Sequence, residues 1–161
     1  MALILRPAEP EDAEAIARLG DGLNRHEGRP SGLMTAETIR RDGFGPEPAF
    51  EVLLAEWEGQ AVGYALFHAA YEAGYAARGI YLVDLYVDAR ARRHGIGRRL
   101  LARLAAEARA RGLSYLWWAS RPSNQEANAF YRKLGARQHP VVAHALTAAA
   151  FEALAEEGCE D

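Results

Sequence analysis

The 161-residue sequence contains one cysteine and one lysine. Cys159, third from the end, has no second thiol to bridge and cannot form half of a Cys-x-x-Cys knuckle, which excludes disulfide frameworks and cysteine-based zinc sites. Eighteen arginines offset the shortage of lysine, and with Lys+Arg at 19 against Asp+Glu at 22 the net charge is only −3. No chain-wide field therefore draws nucleic acid or an anionic membrane, and any anion site must be local. Long hydrophobic runs are missing too. No stretch of about 18 uncharged apolar residues exists for crossing a bilayer, and the run from Ala2 to Leu5 is too short for a signal-peptide core. The expectation is a soluble cytoplasmic protein. His68, His139 and His144 stand at no metal-ligand spacing with acidic or sulfur partners, so no metal is expected.

Half the residues are apolar and a quarter charged, enough for a chain of this length to bury roughly 70% of its unfolded surface in one domain. A single domain over 1–161, with a mobile acidic tail at 158–161, is expected. Leu3 to Arg6 reads as a short edge strand stopped by Pro7. Pro10-Glu11-Asp12 then opens a helix with Ala13, Ile16, Leu19 and Leu23 on one face, ending near Glu27-Gly28. Gly28 to Gly32 is a loop by its breakers, and Thr35 to Thr38 supplies a cap for a short helix ending at Asp42-Gly43. Phe50–Trp57 and Ala61–Ala69, around Glu58-Gly59, form a hairpin, and Gly79–Val87 is a third inner strand.

The period then changes. Ile96, Leu100, Leu101, Leu104, Ala105 and Ala108 recur at helical spacing, giving an amphipathic helix from Gly97 to Arg111 stopped by Gly112. Ser114–Ser120 reads as a strand joined to the third by that helix, and hence parallel to it. Asn124–Leu134 is a further helix, and Val141–Leu146 with Thr147–Glu157 a last strand and helix. The result is a mixed α/β domain.

The chemistry is concentrated in Ile80-Tyr-Leu-Val-Asp-Leu-Tyr-Val87 and the following Asp88-Ala-Arg-Ala-Arg-Arg-His-Gly-Ile-Gly97. Strand, glycine loop and helix N-terminus follow one another. The first turn of a helix has four unpaired backbone N–H groups and a partial positive charge, and glycine lets a ligand approach them, so a phosphate or diphosphate fits there. No lysine or hydroxyl follows Gly97, and Leu100 stands where a dinucleotide fingerprint needs its third glycine, so neither nucleotide motif is met. What remains is Arg92-x-x-Gly95-x-Gly97.

Here the sequence resembles the GNAT superfamily of acyl-CoA-dependent N-acetyltransferases, whose Arg/Gln-x-x-Gly-x-Gly/Ala loop binds the coenzyme A diphosphate. Asn124-Gln-Glu-Ala127-Asn-Ala-Phe130-Tyr131-Arg-Lys-Leu-Gly135 resembles the superfamily's Asn-x-x-Ala-x-x-Phe-Tyr-x-x-x-Gly segment. The likeness is greatest to the spermidine/spermine (diamine, thialysine) acetyltransferase group, through Arg6-Pro7-Ala8, Asp42-Gly43-Phe44-Gly45 and Ile80-Tyr81-Leu82 with Asp84. The chain departs from that group at Val83, where the group has an acidic residue, and has no counterpart of a further acidic residue between Arg137 and Leu146.

The resemblance implies a GNAT-like sheet, mostly antiparallel with one splayed parallel pair, and acetyl-CoA as cosubstrate. Leu85, Tyr86 and Val87 are expected along its pantetheine arm. Arg92, Arg93, His94, Gly95, Ile96, Gly97 and Arg98 are expected around its diphosphate, and Asn124, Ala127 and Tyr131 complete the binding set. The Leu85 N–H is expected to stabilise the oxyanion, Tyr131 to protonate the leaving thiolate, and Asp84 to act as base, bind the amine, or serve as a structural hydrogen-bond partner. His26, Glu27 and Asp84 are expected to meet a small-molecule primary amine. Trp117 and Trp118, facing opposite ways, divide between core and acceptor pocket. A homodimer is implied, with neither nucleic acid nor membrane as partner. Two other readings are a GNAT-like fold that senses acyl-CoA without catalysis, and a nucleic-acid face formed by the eight arginines between Arg90 and Arg111.

Overall fold

In a computed structural model describing residues 2–158, the chain forms two compact units, 1–121 and 122–161. The first holds one five-stranded sheet. Strand β1 (Leu3–Pro7) lies at one edge, followed by β2 (Glu51–Trp57), β3 (Gln60–Glu72), β4 (Ala77–Val87) and β5 (Leu116–Trp117), in that spatial order. The first three pairings are antiparallel and the β4–β5 pairing is parallel, as the sequence predicts. Among the described residues no helix is long and apolar enough to cross a membrane.

Helices α1 (Ala13–His26) and α2 (Ala36–Phe44) cover one face of the sheet. The predicted stripe Ala13, Ile16, Leu19 and Leu23 is buried there with Ile39 of α2 and with Val52, Leu54, Tyr64 and Leu66 of the hairpin. Thr35 caps α2 through its hydroxyl, which accepts from the Thr38 N–H at 3.1 Å. Helix α3 (Ile96–Ala110) contacts β2, β3 and β4, burying Ile96, Leu100, Leu101, Leu104 and Ala108, whereas Ala105 is exposed. Arg6 fastens the start of the chain by a two-pronged pairing with Asp12 at 2.7 and 2.8 Å and a contact with Glu56 at 2.7 Å. The Arg6-Pro7-Ala8 segment thus plays a structural part, clamping β1 to the beginning of α1 and to β2.

Strand β4 carries a bulge. Asp84 stands opposite Leu66 and Leu82 opposite Phe67, so Val83 has no partner on β3. Strict alternation would keep Leu82 on the face of Asp84 and Tyr86. The extra residue instead pairs Leu82 with Phe67, outside the α1-side cluster. Asp84 is therefore turned toward α1 while Leu82 is buried on the other face.

Two sequence expectations are corrected here. Ser114–Ser120 forms only a two-residue strand, pairing Ile80 with Leu116 and Tyr81 with Trp117. Val141–Leu146 is not a strand at all: residues 137–147 have no regular structure and 141–146 are exposed. The second unit contains, among its described residues, α4 (Gln125–Lys133) and α5 (Ala148–Glu157) and no strand, so the backbone of 141–146 has no ladder to join within it. Cys159 and the rest of the acidic tail beyond Gly158 lie outside the described residues.

Gly22 fixes how closely α1 approaches β4. A methyl group there would stand 2.6 Å from the Tyr86 hydroxyl oxygen and 2.9 Å from two of its ring carbons. In an open helix, Gly→Ala stabilises by about 1 kcal/mol. At this site the overpacking cost, about 1–3 kcal/mol, reverses the sign. Denaturant titration of Gly22→Ala is expected to show a net loss; equal or greater stability would mean that Tyr86 gives way freely.

Candidate functional site

The first part of the site is an exposed edge on β4. Beyond Tyr81 no described strand lies on its β5 side, although β3 remains paired with it as far as Val87. Beyond the pairing with β5, backbone groups are thus left open on one side, the Val87 carbonyl excepted, and Leu85 and Val87, both half-buried, stand on this stretch.

The strand runs directly into the loop. Asp88 N–H donates to Val62 O at 2.8 Å, a short 3-10 turn spans Ala89–Ala91, and α3 begins at Ile96. Arg92 is a brace: its Nε donates to the Val87 carbonyl at 3.0 Å and its guanidinium lies 5.6 Å from the Tyr86 ring centre. Arg93 and Gly95 both have left-handed backbone, at φ +66° and +74°. Such alternation turns successive N–H groups toward one concavity. The N-cap, Gly95, provides no side chain to accept from the helix, and no acidic residue occupies the first turn of α3. A Cβ at Gly95 would meet nothing within 4 Å. The amides are open to an anion, and Arg93 and Arg98 are exposed beside them. The His94 imidazole is engaged elsewhere, with Nδ1 2.8 Å from the Arg92 carbonyl and its ring centre 4.4 Å from that of Trp57. These features fit the diphosphate expected at Arg92–Arg98.

The second part is a charged cluster at the C-terminal end of α1. Asp84 is half-buried and accepts a hydrogen bond from the Tyr64 hydroxyl at 2.9 Å. The structural role anticipated for Asp84 is thus present, with Tyr64 as partner. Burial pushes the Asp84 carboxyl above the ordinary range; the Tyr64 hydrogen bond and the positive charge of Arg29 oppose this, and the negative charge of Glu27 adds to it. Burial, together with Asp84, also raises the Tyr64 hydroxyl. Arg29 Nη2 stands 2.7 Å from Glu27 Oε2. That oxygen is buried and has no aligned hydrogen-bond donor, so the contact is one of charge rather than a well-formed hydrogen bond. His26, the last residue of α1, is exposed, whereas Glu27 is turned inward.

Sequence reasoning placed Glu27 and Asp84 together and missed Tyr64 and Arg29. Tyr64 was hidden inside an apolar strand, and Arg29 inside a loop defined by its breakers.

In the second unit Asn124 caps α4 as expected, its Oδ1 accepting from the Ala127 N–H at 3.2 Å. Buried Asn128 is bonded through its backbone N–H to Asn124 O at 3.0 Å. Tyr131, half-buried on the same helix, contacts the Phe130 ring at 5.3 Å between centres. Of the eight arginines from 90 to 111, Arg90, Arg103 and Arg111 pair with acidic side chains and Arg92 braces the loop. Much of the basic surface is thereby engaged within the fold. No His, Cys, Asp and Glu grouping among the described residues forms a metal site.

Strand, open amide loop and the whole of α3 lie within residues 21–136, which match the Acetyltransferase (GNAT) family, and the chain belongs to it as an N-acetyltransferase. Among its relatives, thialysine N-epsilon-acetyltransferase of Sus scrofa is 33% identical over 145 residues, covering 84% of this chain and 85% of that protein. Spermidine/spermine N(1)-acetyltransferase-like protein 1 of Homo sapiens is 34% identical over 109 residues, covering 63% of this chain but 16% of that longer protein. The fold matches that of an integron cassette protein from the mobile metagenome of V. cholerae with a TM-score of 0.83 at 20% identity, covering 97% of this chain and 99% of that one.

Asp84 also leaves a signature in stability. Its raised native carboxyl binds a proton more tightly than the unfolded chain does. Its contribution therefore declines as pH rises from about 4 through the native value. In Asp84→Asn this decline is absent. The melting temperature of the variant relative to wild type is expected to climb between acid and neutral pH and then level off; an advantage that shrinks with rising pH would reverse the assignment.

Proposed function

We propose that the chain is one acetyltransferase domain, acting in the cytoplasm, that moves an acetyl group from acetyl-CoA to a primary amine of a small molecule by direct attack in a ternary complex. A polyamine, diamine or thialysine-like amine is the acceptor class suggested by the relatives. The observation that carries the reading is that the unpaired edge of β4 leads straight into the open amides before and within the first turn of α3. Acetyl-CoA supplies the activated thioester, a diphosphate and two pantetheine amides. The amides are suited to an edge with free backbone groups, and the diphosphate to the Arg93–Arg98 N–H groups.

The chain's own residues do the rest. The Leu85 N–H donates to the oxygen on which negative charge develops. An alkylamine with a pKa of about 10.4 gives up its proton at pH 7 at a cost of about 4.6 kcal/mol, so a base must be at hand. Asp84 serves, because a carboxyl raised by burial holds a proton better than an exposed one. The Tyr131 hydroxyl donates a proton to the departing sulfur. Glu27, turned inward just beyond α1, accepts from the acceptor's ammonium, with exposed His26 beside it.

Thermal shift separates the function classes. Acetyl-CoA and free CoA are expected to raise the melting temperature, whereas ATP and a DNA duplex are not; stabilisation by neither CoA species would end the proposal. Tyr131→Phe is expected to keep the CoA shift and lose at least tenfold in turnover at saturating amine. An unchanged rate would remove Tyr131 from the chemistry.

We further infer a homodimer, as the family resemblance implies. Val141, Val142, Leu146, Phe151 and Leu154 are each more than half exposed, and a run of apolar side chains of that extent favours burial against another surface. Light scattering at micromolar concentration is expected to give the mass of two chains, and Val142→Glu with Leu154→Glu to give that of one. A single-chain mass for the unaltered protein would overturn the inference.

A further inference from the structure

Arg29 is held where the acceptor's charge would be read. Helix α1 stops in a Schellman motif: Arg29 N–H donates to Asn24 O at 2.8 Å, Gly28 N–H donates to Arg25 O at 3.3 Å, and Gly28 takes the left-handed conformation at φ +67°. These bonds fix the backbone of residue 29 two positions beyond Glu27. Its side chain, a little under half exposed, reaches back to Glu27 Oε2 and lies within the electrostatic range of Asp84. A guanidinium has five N–H donors in a planar fork. The single contact to Glu27 leaves most of them for another group.

The charges then decide what fits. Glu27 and Asp84 contribute two negative charges and Arg29 one positive, a balance of −1. Val83 supplies none. A dication brought to this cluster leaves an excess positive charge beside Arg29. An ammonium accompanied by a carboxylate instead brings a cation to the Glu27 and Asp84 carboxylates and an acceptor to the remaining donors of the guanidinium.

Resting on the acceptor site proposed above, we propose that Arg29 is a specificity-determining residue that favours amines carrying a carboxylate and disfavours polycationic amines. The carboxylate pairs with the exposed donors of Arg29. The additional ammonium of a polyamine is repelled by the same group.

The test compares amines that differ by one carboxylate: lysine with cadaverine, and ornithine with putrescine. Thiol release is followed at saturating acetyl-CoA for wild type, Arg29→Gln and Arg29→Lys. Wild type is expected to favour the carboxylate-bearing member of each pair. Arg29→Gln is expected to lower kcat/KM for that member about tenfold, mainly through KM, and to raise it for the diamine. Arg29→Lys is expected to keep part of the preference. The acetyl-CoA-induced rise in melting temperature is expected to be the same in all three proteins, which reports an intact fold and coenzyme site. A carboxylate-to-diamine ratio unchanged by Arg29→Gln, an equal loss for both members, or turnover of neither member by a protein that binds acetyl-CoA overturns the assignment of Arg29. Failure to bind acetyl-CoA, or transfer to no amine in a broad panel, overturns the underlying reading of the site as well.

Discussion

Strand β4 is hydrogen-bonded along almost its whole length by β3, whereas β5 and the residues leading into it pair with its other side only between Arg78 and Tyr81. Every peptide group left open on that side needs a partner, because an unpaired backbone donor or acceptor taken out of water costs free energy comparable to a lost hydrogen bond. A longer β5 would close the edge and leave a conventional sheet. The structure instead stops β5 after two residues, and the open stretch ends at the turn into α3. Main-chain atoms therefore form much of the candidate coenzyme surface. Arg92 holds that surface in shape, tying the last carbonyl of the strand to the loop and lying over Tyr86.

Tyr86 also links the two ends of the site. Its ring lies under the Arg92 guanidinium, and its hydroxyl end abuts Gly22 of α1. Three residues earlier in β4, the bulge at Val83 puts Asp84 and Leu82 on opposite sides of the sheet. The carboxylate would be poorly placed against an apolar helix without help. Tyr64 supplies a hydrogen bond and Arg29 a positive charge, yet burial still dominates its protonation. One bulge thus converts a strand position into a half-buried acid with a raised affinity for protons, a property useful to a group that must receive one.

Most of the architecture was legible from periodicity and breakers because those signals are local. Ala13, Ile16, Leu19 and Leu23 repeat every three or four residues and are buried together, while Glu58-Gly59 turns the hairpin where such pairs turn chains. The segments misread as strands show where local signals fail. Val141–Leu146 has the composition of a strand, but a strand exists only when a neighbour offers its ladder, and that neighbour is specified elsewhere in the chain or in another chain. The order of strand, glycine loop and helix start was legible because glycine spacing and a helix start are written in consecutive residues. Tyr64 and Arg29 were not legible. Their importance comes from meeting Asp84 and Glu27 across 20 and two positions, through strand pairing in the first case and a helix stop in the second. Neither contact leaves a period in the sequence.

The polarity of the two helices gives the site its direction. At the start of α3, unpaired N–H groups and the positive end of the helix dipole favour an anion. At the end of α1, the last carbonyls favour a cation, and Glu27 adds a full negative charge at the same place. Both ends are connected to β4, one through Arg92 and Tyr86 and the other through Asp84. In the proposed reaction an anionic cosubstrate and a cationic acceptor would be drawn to two different helix termini rather than competing for one. Arg29 modifies this division by placing a positive charge at the cation-seeking end, where it can reward an acceptor only for a negative group of its own. The same Schellman motif that ends α1 fixes the backbone from which that charge projects, so under the proposal for Arg29 the helix stop would bear on substrate choice as well as on the fold.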